Sequence, residues 1–180
     1  MGWEADLFAF LEDLEGQAQA AYDEERDLEL ADRAAAEYAE VTLAARLMAS
    51  KGRSVVLTLA GIGRVDGVLA AVGSGWCLLG GRGQEWLVAT DHVVAVEGLD
   101  DRAVPEVAWR PHARLPLRSA LRRLAGGDHK CTLHHREGMV VDAAIGRVGK
   151  DFVEVRTGRG GAELVNLASV VAVQGPARPD

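Results

Sequence analysis

Arg110, Arg114, Arg118 and Arg122 recur every four residues, with Arg123 beside the last. Each guanidinium offers a planar fork of donors that matches a phosphate, so a strip of this kind could hold a nucleic-acid backbone. Lys130, Arg136, Arg147 and Lys150 follow, and with Arg114, Arg118, Arg122 and Arg123 they form the candidate nucleic-acid-binding set. The competing role is internal. Residues 1–50 carry thirteen acids and three bases, a net of −10, whereas residues 101–150 carry ten bases and five acids, a net of +5. The acidic segment is the nearest counter-charge for the arginines, and exposed ion pairs need no ligand.

His129, Cys131, His134 and His135 crowd seven residues, and imidazole with thiolate is a zinc donor set. Alternation along a strand would turn positions 129, 131, 133 and 135 the same way. An internal repeat, described next, sets Cys131 against Val55, Leu133 against Leu57 and His135 against Leu59. Those are apolar positions, so the expectation is a small buried thiol, a core or rim histidine and no metal. Trp76, Trp86, Trp109 and Phe152 could stack on bases. Trp76 and Phe152 are repeat-equivalent and are expected in the core, which leaves Trp86 as the candidate surface contact. Gly80-Gly81-Arg82-Gly83 and Gly158-Arg159-Gly160-Gly161 read as turns, since neither opens a helix nor ends in Gly-Lys-Ser/Thr. No Gly-x-Ser-x-Gly or His-Glu-x-x-His run occurs, and Asp66 and Asp142 lie within strands where a turn or edge contact accounts for them. The chain is therefore expected to be non-enzymatic, with no cofactor and no evident small-molecule substrate.

The elements that carry these residues come in two copies. Val55 to Gly98 and Cys131 to Gly175 align at Leu57 with Leu133, Asp66 with Asp142, Leu69 with Ile145, Val72-Gly73 with Val148-Gly149 and Trp76 with Phe152. After a one-residue insertion, Leu87-Val88 aligns with Leu164-Val165 and Val93 to Val96 with Val170 to Val173. Each copy reads as five short strands: alternating apolar residues over 55–59, then 64–72, 76–79, 85–89 and 93–96. Only Thr90-Asp91-His92 separates the last two, too few residues for a crossover. Tightly joined antiparallel strands behind a helix favour a small bent barrel.

Ahead of the first copy, residues 3–49 lack proline and repeat apolar residues at helical spacing. Leu7, Leu14, Ala21, Leu28 and Ala35 recur every seven residues, a partner-helix seam that could drive self-association or lie against the body. A shorter run, Pro116 to Gly127, leads the second copy. The organisation expected is a long acidic amphipathic helix over 1–50, a first barrel over 51–99, a Pro-containing linker over 100–115, a second barrel with its own leading helix over 116–176, and a tail over 177–180. Two cysteines without a Cys-x-x-Cys pair suit a reducing compartment, the cytoplasm. No signal peptide or transmembrane helix is expected. Arginine outnumbers lysine seventeen to three, in keeping with a high-GC bacterial genome.

The matching runs are Val55 to Leu59, Gly67-Val68-Leu69, Val72 to Leu79 and Val88 to Val96, and in the second copy Leu133, Val141 to Val148, Asp151 to Val155 and Leu164 to Val173. On these runs the chain resembles the Sm-like proteins, which include the archaeal Sm-like and bacterial Hfq proteins. The resemblance implies an α+β fold: a long N-terminal helix, then two tandem five-stranded Sm-like antiparallel barrels. It also implies RNA contacts, but Gly73-Ser74-Gly75 and Gly149-Lys150-Asp151 stand where the Sm Asp-x-x-x-Asn run would lie. Of the Hfq Tyr-Lys-His motif only His92 has a counterpart. A covalent tandem would make a trimer of this chain the equivalent of an Hfq hexamer. The whole chain is also similar to actinobacterial proteins labelled Fis-family transcriptional regulators, although it contains no Fis-like helix-turn-helix. The function expected is that of an interaction or scaffold protein, a homo-oligomer or partner of another protein, acting through the helix seam and barrel surfaces. The alternative is a regulator that binds RNA or DNA through residues 110–123. No membrane partner is expected.

Overall fold

The structure, a computed structural model, describes residues 3–81, 83–125, 130–158 and 161–176; positions 4–6, 8, 9, 18, 21 and 24 are described by backbone alone. The chain divides into two compact units, Met1–Val41 and Thr42–Asp180. The first is a helix, α1 (Trp3–Ala39), of 37 residues, about 55 Å long at 1.5 Å per residue. It runs unbroken through Gly16. It stops short of Ala49, where the apolar spacing alone would carry it. The cause is local: Thr42 adopts an extended conformation and its hydroxyl accepts from Ala45 N at 3.1 Å, capping a separate helix, α2 (Leu43–Ala49).

In the second unit ten strands form one antiparallel sheet. They are β1 (Ser54–Leu59), β2 (Gly63–Gly73), β3 (Trp76–Gly81), β4 (Gln84–Ala89) and β5 (Val93–Glu97) from the first repeat, and β6 (Lys130–His135), β7 (Val140–Val148), β8 (Phe152–Thr157), β9 (Ala162–Asn166) and β10 (Val170–Pro176) from the second. Their order is β5-β1-β2-β3-β4-β10-β6-β7-β8-β9. This corrects the expectation of two tandem, closed, five-stranded Sm-like barrels: the sheet is open and continuous. Alternating apolar residues specify strands and their faces, but the partner of each end strand depends on which backbone groups lie opposite. Here β4 turns to the other repeat, pairing Val88 with Ala172, Leu87 with Val173, Trp86 with Gln174, Glu85 with Gly175 and Gln84 with Pro176.

The two repeats keep corresponding irregularities. The ladder shifts between Leu69 and Ala71 in one copy and between Ile145 and Val148 in the other, bulges that sharpen twist and bend the strand. Thr90 N donates to Gly75 O at 3.1 Å, and the equivalent Leu167 N donates to Asp151 O at 2.8 Å. Two apolar clusters result, and they exchange residues across the joint. Val171 and Ala172 of the second repeat join Leu57, Leu69, Leu79 and Val88 in one cluster, while Leu87 of the first joins Leu133, Ile145 and Val153 in the other. Residues 100–115 pack along the sheet: Trp109 is buried and donates through Nε1 to Val104 O at 2.8 Å.

Of the two aligned aromatics, Trp76 packs against the second cluster whereas Phe152 is not the core residue its alignment suggests. Trp76 is half-buried at the margin of that cluster and Phe152 is exposed, and each ring lies over a glycine. A Cβ built on Gly73 would fall on the Trp76 ring, and one on Gly149 would stand 2.5 Å from Phe152 Cε1. Gly73→Ala is expected to cost about 1–3 kcal/mol by urea denaturation, since Trp76 is also held by its Nε1 bond to Leu115 O at 2.8 Å. Gly149→Ala should cost less, the Phe152 ring being free to swing toward solvent. Equal costs would contradict this reading.

Candidate interaction surfaces

Among the described residues the sheet ends in β5 and β9, each paired with a strand along one side only. By the repeat, β5 is the counterpart of β10 and β9 the counterpart of β4. The two free edges are therefore the two halves of the joint that β4 and β10 make inside the chain. Burial follows the same logic. Val171 is fully buried at the joint and its counterpart Val94 is 70% exposed; Leu87 is 5% exposed and its counterpart Leu164 is 66% exposed. Apolar residues thus persist at positions that, in one copy of the chain, the described residues leave largely uncovered. Beside β5, a cavity of about 450 Å³ is lined by Leu43, Arg46, Leu99 and the strand itself. Glu163, where the first repeat has Trp86, puts a charge on the β9 edge, a feature that discourages indiscriminate strand pairing.

Sequence reading did not single out Val94 and Leu164. The signal was present in the repeat: an apolar residue kept in both copies, although only one copy of each strand can be internal.

The candidate nucleic-acid set is dispersed. Helix α3 (Leu117–Leu124) buries Leu121 and half-buries Leu117 and Leu124, so Arg118, Arg122 and Arg123 face solvent. None of the three makes an ion pair with a described residue. Arg114 donates through Nη2 to Val107 O at 2.6 Å. Arg147 is paired with Glu154 Oε2, through Nε at 3.1 Å and Nη2 at 2.9 Å. Lys130, Arg136 and Lys150 are exposed. Arg136 precedes β7 and Lys150 follows it, and nine residues of strand extend about 30 Å at 3.3 Å each. The eight cations do not form one strip; only those of α3 share a short face.

On α1 the seam residues Leu7, Leu14, Leu28 and Ala35 are exposed, as are Phe10 and Leu11 beside them. The side chain of Ala21 lies outside those described. His129, Arg82 and Arg159 lie outside the described residues. The other members of the His/Cys cluster have separate partners: Cys131 Sγ donates to Ala143 O at 3.3 Å, His134 Nε2 meets Gln174 Oε1 at 3.0 Å, and His135 Nδ1 meets Ser169 Oγ at 3.2 Å. Among the described residues no group of three or more His, Cys, Asp or Glu is placed to hold a metal ion. Burial pushes the Cys77 thiol up to about 12. It pushes Cys131 up to about 11, with the Asp142 carboxylate adding to the effect, so both are protonated at neutral pH and poor nucleophiles. Asp142 accepts from Thr132 Oγ1 at 2.7 Å, a cross-strand contact. Trp86, the candidate surface aromatic, is half-buried with its ring centroid 5.0 Å from that of His134.

His135 provides a pH handle. Burial holds its imidazole below the ordinary value, with His134 acting the same way and the Glu163 carboxylate opposing. Its Nε2 is buried with no hydrogen-bond partner among the described residues. Well above the ordinary histidine value the ring is uncharged in both folded and unfolded chains. As pH falls through the ordinary histidine value, about 6.5, the unfolded chain takes up the proton first, and stability declines until the lower folded value is passed. His135→Leu, the residue found at the equivalent Leu59, is expected to raise the urea midpoint and to flatten its decline between about pH 7.5 and 5. A variant with the same slope as the parent would contradict the assignment.

No helix among the described residues is long and apolar enough to cross a membrane. Compared with known proteins, the chain matches no protein-family model and no curated protein.

Proposed function

We propose that this is a non-enzymatic interaction protein of the cytoplasm that builds assemblies of itself, β9 of one copy adding to β5 of the next. The observation that carries the reading is the paired burial contrast, Val94 against Val171 and Leu164 against Leu87. Addition of a strand supplies the main-chain hydrogen bonds that an edge lacks, and the exposed side chains supply the apolar contact. The joint is head-to-tail, so it closes into a ring if the rotation it imposes divides the circle and otherwise extends as a filament. Two protonated, unpaired thiols, Cys77 and Cys131, suit a reducing compartment.

The seam of α1 offers a second contact between copies, through Leu7, Leu14 and Leu28. Light scattering on the full chain tests the whole reading. The assembly should exceed one copy, 19.2 kDa, and should persist from low to high salt, because apolar and main-chain contacts are little screened. A particle of one copy at all concentrations would contradict it.

A second reading rests on α3, where Arg118, Arg122 and Arg123 are exposed and could contact phosphates of RNA or DNA. Anisotropy of labelled single-stranded RNA and duplex DNA would then show affinity that falls steeply with salt and is lost in Arg118→Glu/Arg122→Glu. Absence of binding at low salt would remove this reading and leave the first untouched.

A further inference from the structure

A second cavity lies inside one copy of the chain, where α3 crosses the internal joint. Its volume is about 450 Å³, within the range of small-molecule sites. Trp76, Leu78 and Leu87 wall it from the first repeat, Leu124 from α3, and Ile145 and Val173 from the second repeat. The Trp76 N–H is already taken by Leu115 O at 2.8 Å, so the ring turns an apolar surface to the space.

Charge enters at the rim. Arg123 on α3 and Lys130 at the start of β6 both border the cavity and are exposed, and neither is ion-paired with a described residue. Glu85 is the one carboxylate among the described lining residues, and His112 and Ser119 are further polar neighbours.

We propose that this cavity binds a small amphipathic anion, a single-chain carboxylate whose hydrocarbon body lies among the leucine, isoleucine and valine side chains and whose head group meets Arg123 and Lys130. The apolar walls provide transfer energy in proportion to the chain they cover. The two cations add charge-assisted hydrogen bonds that an alcohol would receive only weakly and a quaternary ammonium not at all. An aliphatic body is favoured over a planar aromatic one because five of the six named walls are branched aliphatic side chains. The site goes beyond the self-assembly reading and does not depend on it, since every lining residue belongs to one copy.

The test is isothermal titration calorimetry of the full chain with decanoate below its micellar concentration, beside decanol and decyltrimethylammonium. One decanoate should bind per chain, decanol should bind more weakly, and decyltrimethylammonium should give no saturable heat. Arg123→Gln/Lys130→Gln should weaken decanoate by about tenfold or more. Ala120→Phe, which fills the cavity from α3, should abolish binding while circular dichroism stays unchanged. No decanoate binding by the folded chain, equal affinity for the cationic analogue, or unchanged affinity in the Gln double variant would overturn the proposal. Because Arg123 and Lys130 are exposed, the double variant decides even if Ala120→Phe does not fold. Light scattering of the same samples separates this result from self-assembly: decanoate binding by a one-copy particle would uphold the site and refute the assembly.

Discussion

Val94→Lys and Leu164→Lys, each made singly in a chain whose α1 seam is removed by Leu14→Glu/Leu28→Glu, are expected to disassemble the protein without unfolding it. Val94 lies on β5 and Leu164 on β9, the two free edges of the sheet. In the assembly each would be buried as Val171 and Leu87 are at the internal joint. Placing an ammonium there forces an unpaired charge into an apolar contact, a penalty of several kcal/mol per joint, enough to shift the association midpoint by at least about a hundredfold. In the single copy the same side chains remain in solvent, so the folding free energy should change by no more than about 0.5 kcal/mol. Sedimentation reads the first effect and urea denaturation the second. Loss of fold in both variants, or assembly unchanged in both, would contradict the account.

The second large effect comes from the same substitution at the counterpart. Val171→Lys is expected to destabilise folding by about 3–5 kcal/mol, or to prevent it, because Val171 is fully buried in the first apolar cluster, where an ammonium would lose its hydration. Val94→Lys and Val171→Lys are chemically identical changes at repeat-equivalent positions. A difference of this size between them in urea would measure what the internal joint contributes. Similar costs would mean that Val94 is also buried in the folded single chain, and the free-edge reading would be lost.

The repeat was legible in the sequence because apolar alternation and glycine positions recur at one offset from Leu57 and Leu133 to Trp76 and Phe152. That pattern also located the strands, since each needs only its own two-residue period. Strand pairing between repeats was not legible. Leu87 and Leu164, or Val94 and Val171, are the same residue types in the same local context, and nothing local states that one member of each pair is covered and the other bare. The outcome depends on which copy β4 meets, and it turned two expected barrels into one open sheet. Phe152 misled for a related reason: an apolar aromatic ring aligned with Trp76, which packs against the second cluster, suggests a core, whereas Phe152 lies exposed across the face of Gly149. Helix α1 illustrates a third case, in which a threonine cap at Thr42 overrides a continuing apolar period.

Of the site residues, Leu133 and His135 are buried as their alignment with Leu57 and Leu59 implies. The arginines were legible as a spacing, but their grouping was not. Arg147 is bound to a glutamate on the neighbouring strand, and Arg136 and Lys150 sit beyond opposite ends of β7. A one-dimensional interval cannot report those distances.

The most direct test of edge-to-edge assembly mixes the two edge variants, both made in a Leu14→Glu/Leu28→Glu background that removes the α1 seam. Val94→Lys keeps a sound β9 edge and Leu164→Lys a sound β5 edge, so neither can join to itself but each can join the other once. The account gives one-copy particles for each variant alone and, on mixing, a two-copy particle that native mass spectrometry resolves as one of each. Mixtures that stay as one-copy particles, or pairs that form as readily within one variant as between the two, would contradict it.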